Sequence, residues 1–224
     1  MFTQFPRKTA LGGLALLLAT TTAMADSLYS QAPIDGGDGR FSHFAAGTQN
    51  ADNFVLSNPA VISDLRWWGS YDGTDTDNFL VRILANSAGS PGAIVRSFTS
   101  PAVVRSATSL TDILGAEVYQ YDFDLTNFAL TAGTYYVSVM NDTTAANWYW
   151  LFGTGGDSQS WSRGTDGDLW TTGSDDFALT VFGIPQAVPT PAPEPATLGL
   201  LLAGFAAMGA GRVASKRRTD HSAG

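Results

Sequence analysis

The chain of 224 residues contains no cysteine, so neither disulfides nor thiolate chemistry are open to it. Lysine is missing from the whole body: from 26 to 184 the only bases are Arg40, Arg66, Arg82, Arg96, Arg105 and Arg163. Glutamate is scarce as well, Glu117 being the only one in that stretch, while aspartates are many and the net charge is −8. Such an acidic surface repels nucleic acid and anionic lipid and argues against both as partners. His43 is the only histidine in the body, so zinc catalysis lacks its usual donors and a Ser-His-Asp triad has a single residue to pass through. No Gly-x-Ser-x-Gly is present. Flanked by Phe41 and Phe44, His43 reads as a strand or loop residue with no reaction to perform.

Long apolar runs are missing from the body too; they sit near its two ends. Arg7-Lys8, the run Leu11 to Ala19 and the small-residue site Ala23-Met24-Ala25 before Asp26 have the three parts of a secretory signal peptide. Arg7-Lys8 is not a twin arginine, so export of the unfolded chain is expected, with signal peptidase cleaving after Ala25. At the other end, prolines 189, 191, 193 and 195 bias the backbone towards an extended, solvated spacer. The uncharged run 196–211 follows. Its 16 or so residues span roughly 24 Å as a helix, short of a hydrocarbon core of about 30 Å. Bilayer thinning and snorkelling of Arg212 and Lys216 would let it cross, and Arg212, Lys216, Arg217 and Arg218 are expected to stay cytoplasmic.

Pro193-Glu194-Pro195-Ala196, the Leu/Ala/Gly-rich span and the basic cluster together resemble the PEP-CTERM sorting signal of bacterial exported proteins. The likeness covers about residues 189 to 218. It implies that exosortase, a membrane-embedded cysteine transpeptidase, recognises Pro193, Glu194 and Pro195, removes the tail and transfers the protein to another anchor. The expected organisation is a signal peptide (1–25), a folded domain (26–184), a proline-rich linker (185–195), a transmembrane sorting helix (196–211) and a basic tail (212–224).

The body has the periodicity of strands. Tyr119, Tyr121, Phe123 and Leu125 alternate with Gln120, Asp122 and Asp124, which packs one face and wets the other. Similar runs occur at 54–56, 62–68, 79–85, 94–99, 135–140, 148–152 and 177–182. Gly/Asp/Pro-rich turns separate them, including Asp35 to Gly39, Asp72 to Asp75 and Ser90-Pro91-Gly92; only Ser109 to Gly115 suggests a helical turn. About eight such strands predict an all-β, antiparallel β-sandwich of jelly-roll type. Trp67-Trp68-Gly69, Phe79 to Leu84 and Leu130 to Tyr136 are similar to segments of the sandwich domains found ahead of PEP-CTERM tails, a likeness that implies a fold and no activity.

Three chemistries remain to be weighed. Asp72, Asp75 and Asp77 in one loop, and Asp166 and Asp168 in another, supply oxygen ligands of the kind a structural Ca²⁺ needs, without the EF-hand spacing or its distal Glu; aspartate is equally a turn residue. Of the aromatic residues, Trp148, Trp150 and Phe152 alternate as core residues do, as do Leu65 and Trp67. Trp161 and Trp170 lie in Gly/Ser/Asp-rich stretches and are expected to be exposed and able to stack on sugar. Glycoside hydrolysis needs two carboxylates about 5 to 9 Å apart, yet nothing in the spacing pairs Glu117 with any one aspartate, and Glu117 reads as a solvated edge or loop residue. The sequence thus predicts a non-catalytic, exported surface or matrix protein with no catalytic residues and no required cofactor. Its partners are signal peptidase, the secretion machinery, exosortase and, transiently, the inner membrane. A carbohydrate-binding module on extracellular polysaccharide is the rival reading, and a hydrolase the distant third.

Overall fold

Alternation along β8 (Glu117–Leu130) sets the frame of the molecule: Tyr121, Phe123 and Leu125 are buried while Asp124 and Thr126 reach solvent. The computed structural model describes residues 25–73, 76–99, 102–143 and 146–187. The chain divides after Gln186, and every described strand lies in the unit before that point. No helix occurs among the described residues, and none there is long and apolar enough to cross a membrane; the proposed span 196–211 lies outside them.

Strands β1 (Asp26–Pro33), β2 (Gly39–Phe41), β4 (Ala60–Tyr71), β7 (Val104–Thr111), β8, β10 (Trp148–Thr154), β13 (Asp176–Phe177) and β14 (Leu179–Pro185) form one sheet. Its order is β13-β10-β1-β14-β4-β8-β7, with β2 beside β10 and a second pairing of β10 with β4. The other sheet contains β3 (Gln49–Leu56), β5 (Phe79–Ser87), β6 (Ser90–Thr99), β9 (Gly133–Asn141), β11 (Ser160–Arg163) and β12 (Thr171–Gly173), in the order β12-β11-β3-β9-β5-β6. All strand pairs are antiparallel, as the one-sided alternation requires. The inward faces of both sheets build one core in which Trp67 stacks on Tyr121 at 5.7 Å and Phe79 meets both Trp67 and Trp148 edge-on at 5.2 Å. Such offset and edge-to-face contacts add about 0.5–1.5 kcal/mol per pair to simple burial, and the core does without any cross-link.

Two local expectations are corrected. Ser90-Pro91-Gly92 is not a turn but the start of β6; the chain reverses one step earlier, at Ala88-Gly89, where both residues take positive φ (53° and 85°) as a two-residue hairpin loop demands. Pro91 is tolerated because β6 is an edge strand. Nor is Ser109 to Gly115 helical. It ends β7 and then turns, because Asp112 Oδ1 accepts the backbone N–H of both Leu114 (2.9 Å) and Ala116 (2.8 Å), and a side chain that satisfies those donors removes the need for helical partners.

Candidate functional site

Two of the sequence-derived sites fall outside the described residues: Ala23 of the cleavage site, and the sorting tail with Pro193, Glu194, Pro195, Arg212, Lys216, Arg217 and Arg218. Ala25 is exposed, and β1 starts at the next residue.

Of the aspartates expected to hold calcium, Asp72, Asp77, Asp166 and Asp168 are already partnered. Asp72 Oδ1 accepts the backbone N–H of Asn147 (3.0 Å), and its Oδ2 accepts Asn147 Nδ2 (2.8 Å) and the Tyr149 hydroxyl (3.2 Å). Asp77 accepts the Tyr71 hydroxyl and faces Arg105 at 3.4 Å. Asp75 lies outside the described residues. Asp166 is clamped by the nearly buried guanidinium groups of Arg82 (2.6 and 3.1 Å) and Arg163 (2.7 Å), and the Arg82 hydrogen bonds hold its carboxyl below the usual range. Asp168 Oδ2 accepts the Thr165 backbone N–H (2.6 Å) and hydroxyl (2.9 Å), which lowers its pKa too. No three acidic or histidine side chains converge on a metal-sized site among the described residues. A cation at Asp166 would have to displace two arginines, so thermal melts in millimolar Ca²⁺ and in chelator are expected to superimpose; a rise in Tm with Ca²⁺ would contradict this placement.

The expected exposure of Trp161 is wrong. It is 2 % exposed and meets Tyr136 edge-on at 4.8 Å on the outer face of the six-stranded sheet. The polar neighbours that suggested a loop, Ser160 and Ser162, are the alternate residues of strand β11, which extends the sheet beyond β3. Trp170 is half-buried against the same cluster, with the Arg163 guanidinium 4.3 Å from its ring centre. A bound sugar would have to compete with that cation for the ring face. Trp67, Trp148 and Trp150 are core residues, as their alternation predicts.

His43 is 7 % exposed in a tight reversal, where its backbone bridges Thr48. Its Nδ1 accepts the Ala46 N–H (2.9 Å) and its Nε2 bonds the Thr143 carbonyl, an arrangement that assigns the neutral Nε2–H tautomer and occupies both ring nitrogens. Glu117 begins β8 exposed and accepts the Tyr119 hydroxyl at 2.9 Å. Asp64 and Asp124 stand opposite one another on β4 and β8, and the neighbouring Asp64 carboxyl raises that of Asp124.

Sequence reasoning missed two groupings. Asp52, fully buried on β3, joins Gln31 of β1 and Phe177 of β13; nothing in Gln49 to Leu56 marks it, because its partners are distant in sequence. The other is a cleft between Tyr149 and the Asp112 turn, whose lining comes from four separate segments. No family model, curated protein or solved structure matches the chain. The class is therefore defined by the fold: an acidic, cysteine-free, all-β protein of two facing antiparallel sheets.

Proposed function

We propose that the chain is an exported, non-catalytic cell-surface or extracellular-matrix protein, sorted by an exosortase. One observation carries the reading: Pro193-Glu194-Pro195, the uncharged run 196–211 and the cluster Arg212, Lys216, Arg217 and Arg218 follow one another in that order. The fold is compatible with it. Cleavage after Ala25 would remove the signal peptide and leave β1 intact from its first residue, and a core of interlocked aromatic rings needs no oxidative folding. We assign the sandwich to the jelly-roll type. The orders β1-β14-β4-β8 and β3-β9-β5-β6 support this, because the chain passes back and forth between the sheets as two nested Greek keys would.

On this reading the sandwich is the cargo and the tail its address. Replacing Glu194 with alanine is expected to leave full-length, membrane-retained protein, whereas the wild type loses its tail. Fractionation with and without exosortase, followed by mass determination of the C-terminus, measures both. Normal processing of Glu194→Ala would refute the assignment.

A further inference from the structure

Strands β4, β10 and β2 lie side by side, and their registers align Ser70, Tyr149 and Phe41 in one row. Trp148 and Trp150 take the core side of β10, so Tyr149 between them points outward and is half-exposed. Beside this row stands the turn joining β7 to β8, whose tip presents Ile113 (62 % exposed) and Leu114 (87 % exposed) to solvent. This apolar tip is held firmly in place. Asp112 grips the N–H groups of Leu114 and Ala116 and accepts the Ser70 hydroxyl (2.8 Å), while Ile113 N–H donates to the Gly37 carbonyl (2.9 Å). Between the tip and Tyr149 lies a cleft of about 190 Å³ whose polar lining includes Asp38, Asp72 and Asp112.

We infer that this cleft is a binding subsite for one ring of a neutral sugar. Its volume equals about six liquid waters, room for a single ring and its hydroxyls. Tyr149, Ile113 and Leu114 offer apolar surface to the C–H faces of such a ring, and Asp38, Asp72 and Asp112 offer acceptors to its hydroxyls. The acceptors are already partly committed. Asp112 takes three internal donors and Asp72 three, of about four sites on each carboxylate, so about one lone pair remains on each. Asp38 Oδ1 takes the Gly39 N–H (2.7 Å), and its Oδ2 has no partner among the described residues. A hydroxyl, which brings one proton per oxygen, fits single vacant lone pairs. An anionic sugar is repelled by three carboxylates, and an apolar ligand would strip them of water without replacing it. The Tyr149 hydroxyl is anchored on Asp72, so the ring is positioned before ligand arrives and little entropy is lost on binding.

The inference rests on the export reading only for where such a sugar is met; binding itself is measured on purified protein and stands apart from sorting. The test is affinity electrophoresis of the full-length protein in native gels containing dextran, galactomannan, xyloglucan or hydroxyethylcellulose, with alginate as the anionic and glycol chitosan as the cationic comparison. At least one neutral polymer is expected to retard the protein, and alginate is not. Tyr149→Ala and Leu114→Asp should each weaken that retardation about tenfold, and Trp170→Ala should leave it unchanged. Leu114 projects into solvent, so Leu114→Asp keeps the fold and serves as the control should Tyr149→Ala destabilise it. Unchanged mobility throughout would overturn the inference, as would retardation by glycol chitosan alone, full binding by Leu114→Asp, or loss of binding in Trp170→Ala.

Discussion

Substituting Gly69 with alanine is expected to lower the unfolding free energy by about 3 kcal/mol, the upper part of the range for overpacking a tight core. Gly69 sits on β4 where β8 and β10 meet it, opposite Tyr119 and Trp150. A Cβ there would lie 2.5 Å from Cε2, Cζ2 and Nε1 of Trp148. That indole cannot step aside: it is fully buried, with Phe79 against it at 5.2 Å and Tyr121 at 6.1 Å, both edge-on. Glycine is required at 69 by this close approach and not by its φ angle. Trp148→Phe removes the atoms that the new methyl would strike, so the cost of Gly69→Ala should fall by about 1.5 kcal/mol or more in that background. Denaturant unfolding of the four proteins in the cycle measures this. Additive effects would mean that the strain lies elsewhere.

Strands that alternate strictly were readable from residue order alone, because a two-residue period needs no knowledge of partners. Tyr121, Phe123 and Leu125 on one side and Trp148 and Trp150 on another lie in the core for that reason. Of the edge strands, β6 was readable in part, at 94–99, but β2, β7 and β12 were not. In β7 most side chains are exposed, β2 and β12 are three residues each, and such segments become strands only because a neighbour offers free backbone groups. Trp161 failed for the same reason: serine neighbours suggest a loop until β3 is seen to supply the ladder. The cleft beside Tyr149 was beyond sequence reasoning because Asp38, Asp72, Asp112 and Tyr149 have no shared motif and meet only where β2, β10 and β4 lie side by side next to the β7–β8 turn. In the sequence Asp72 was one candidate oxygen ligand among several, equally a turn residue. In the structure it anchors the Tyr149 hydroxyl.

The second large effect is expected at Asp52, where one buried carboxylate links the two sheets. Its Oδ1 accepts the Asn53 N–H at 2.7 Å and its Oδ2 accepts the Phe177 N–H; the Gln31 amide, oriented to satisfy its neighbours, donates to Oδ2 at 3.2 Å. Asp52→Ala leaves these donors buried without an acceptor and should cost about 3 kcal/mol or more, since each orphaned group costs roughly 1–3 kcal/mol. The same burial makes the link sensitive to pH. Desolvation pushes the Asp52 carboxyl well above the usual carboxylate range, the nearby Asp176 and Asp157 push in the same direction, and the two backbone N–H groups only partly oppose them. The folded state therefore holds this proton more tightly than the unfolded chain does. The associated stability is complete below the unfolded value of about 3.9 and is lost as pH rises through the higher folded value. Asp52→Asn has no proton to lose. Asp166, Asp168 and Asp124 titrate in both proteins, so over that interval the wild type should lose stability relative to the variant as pH rises. Urea unfolding of both proteins at about pH 4.5, 6 and 8 reads the two slopes, and parallel slopes would show that Asp52 does not carry the dependence.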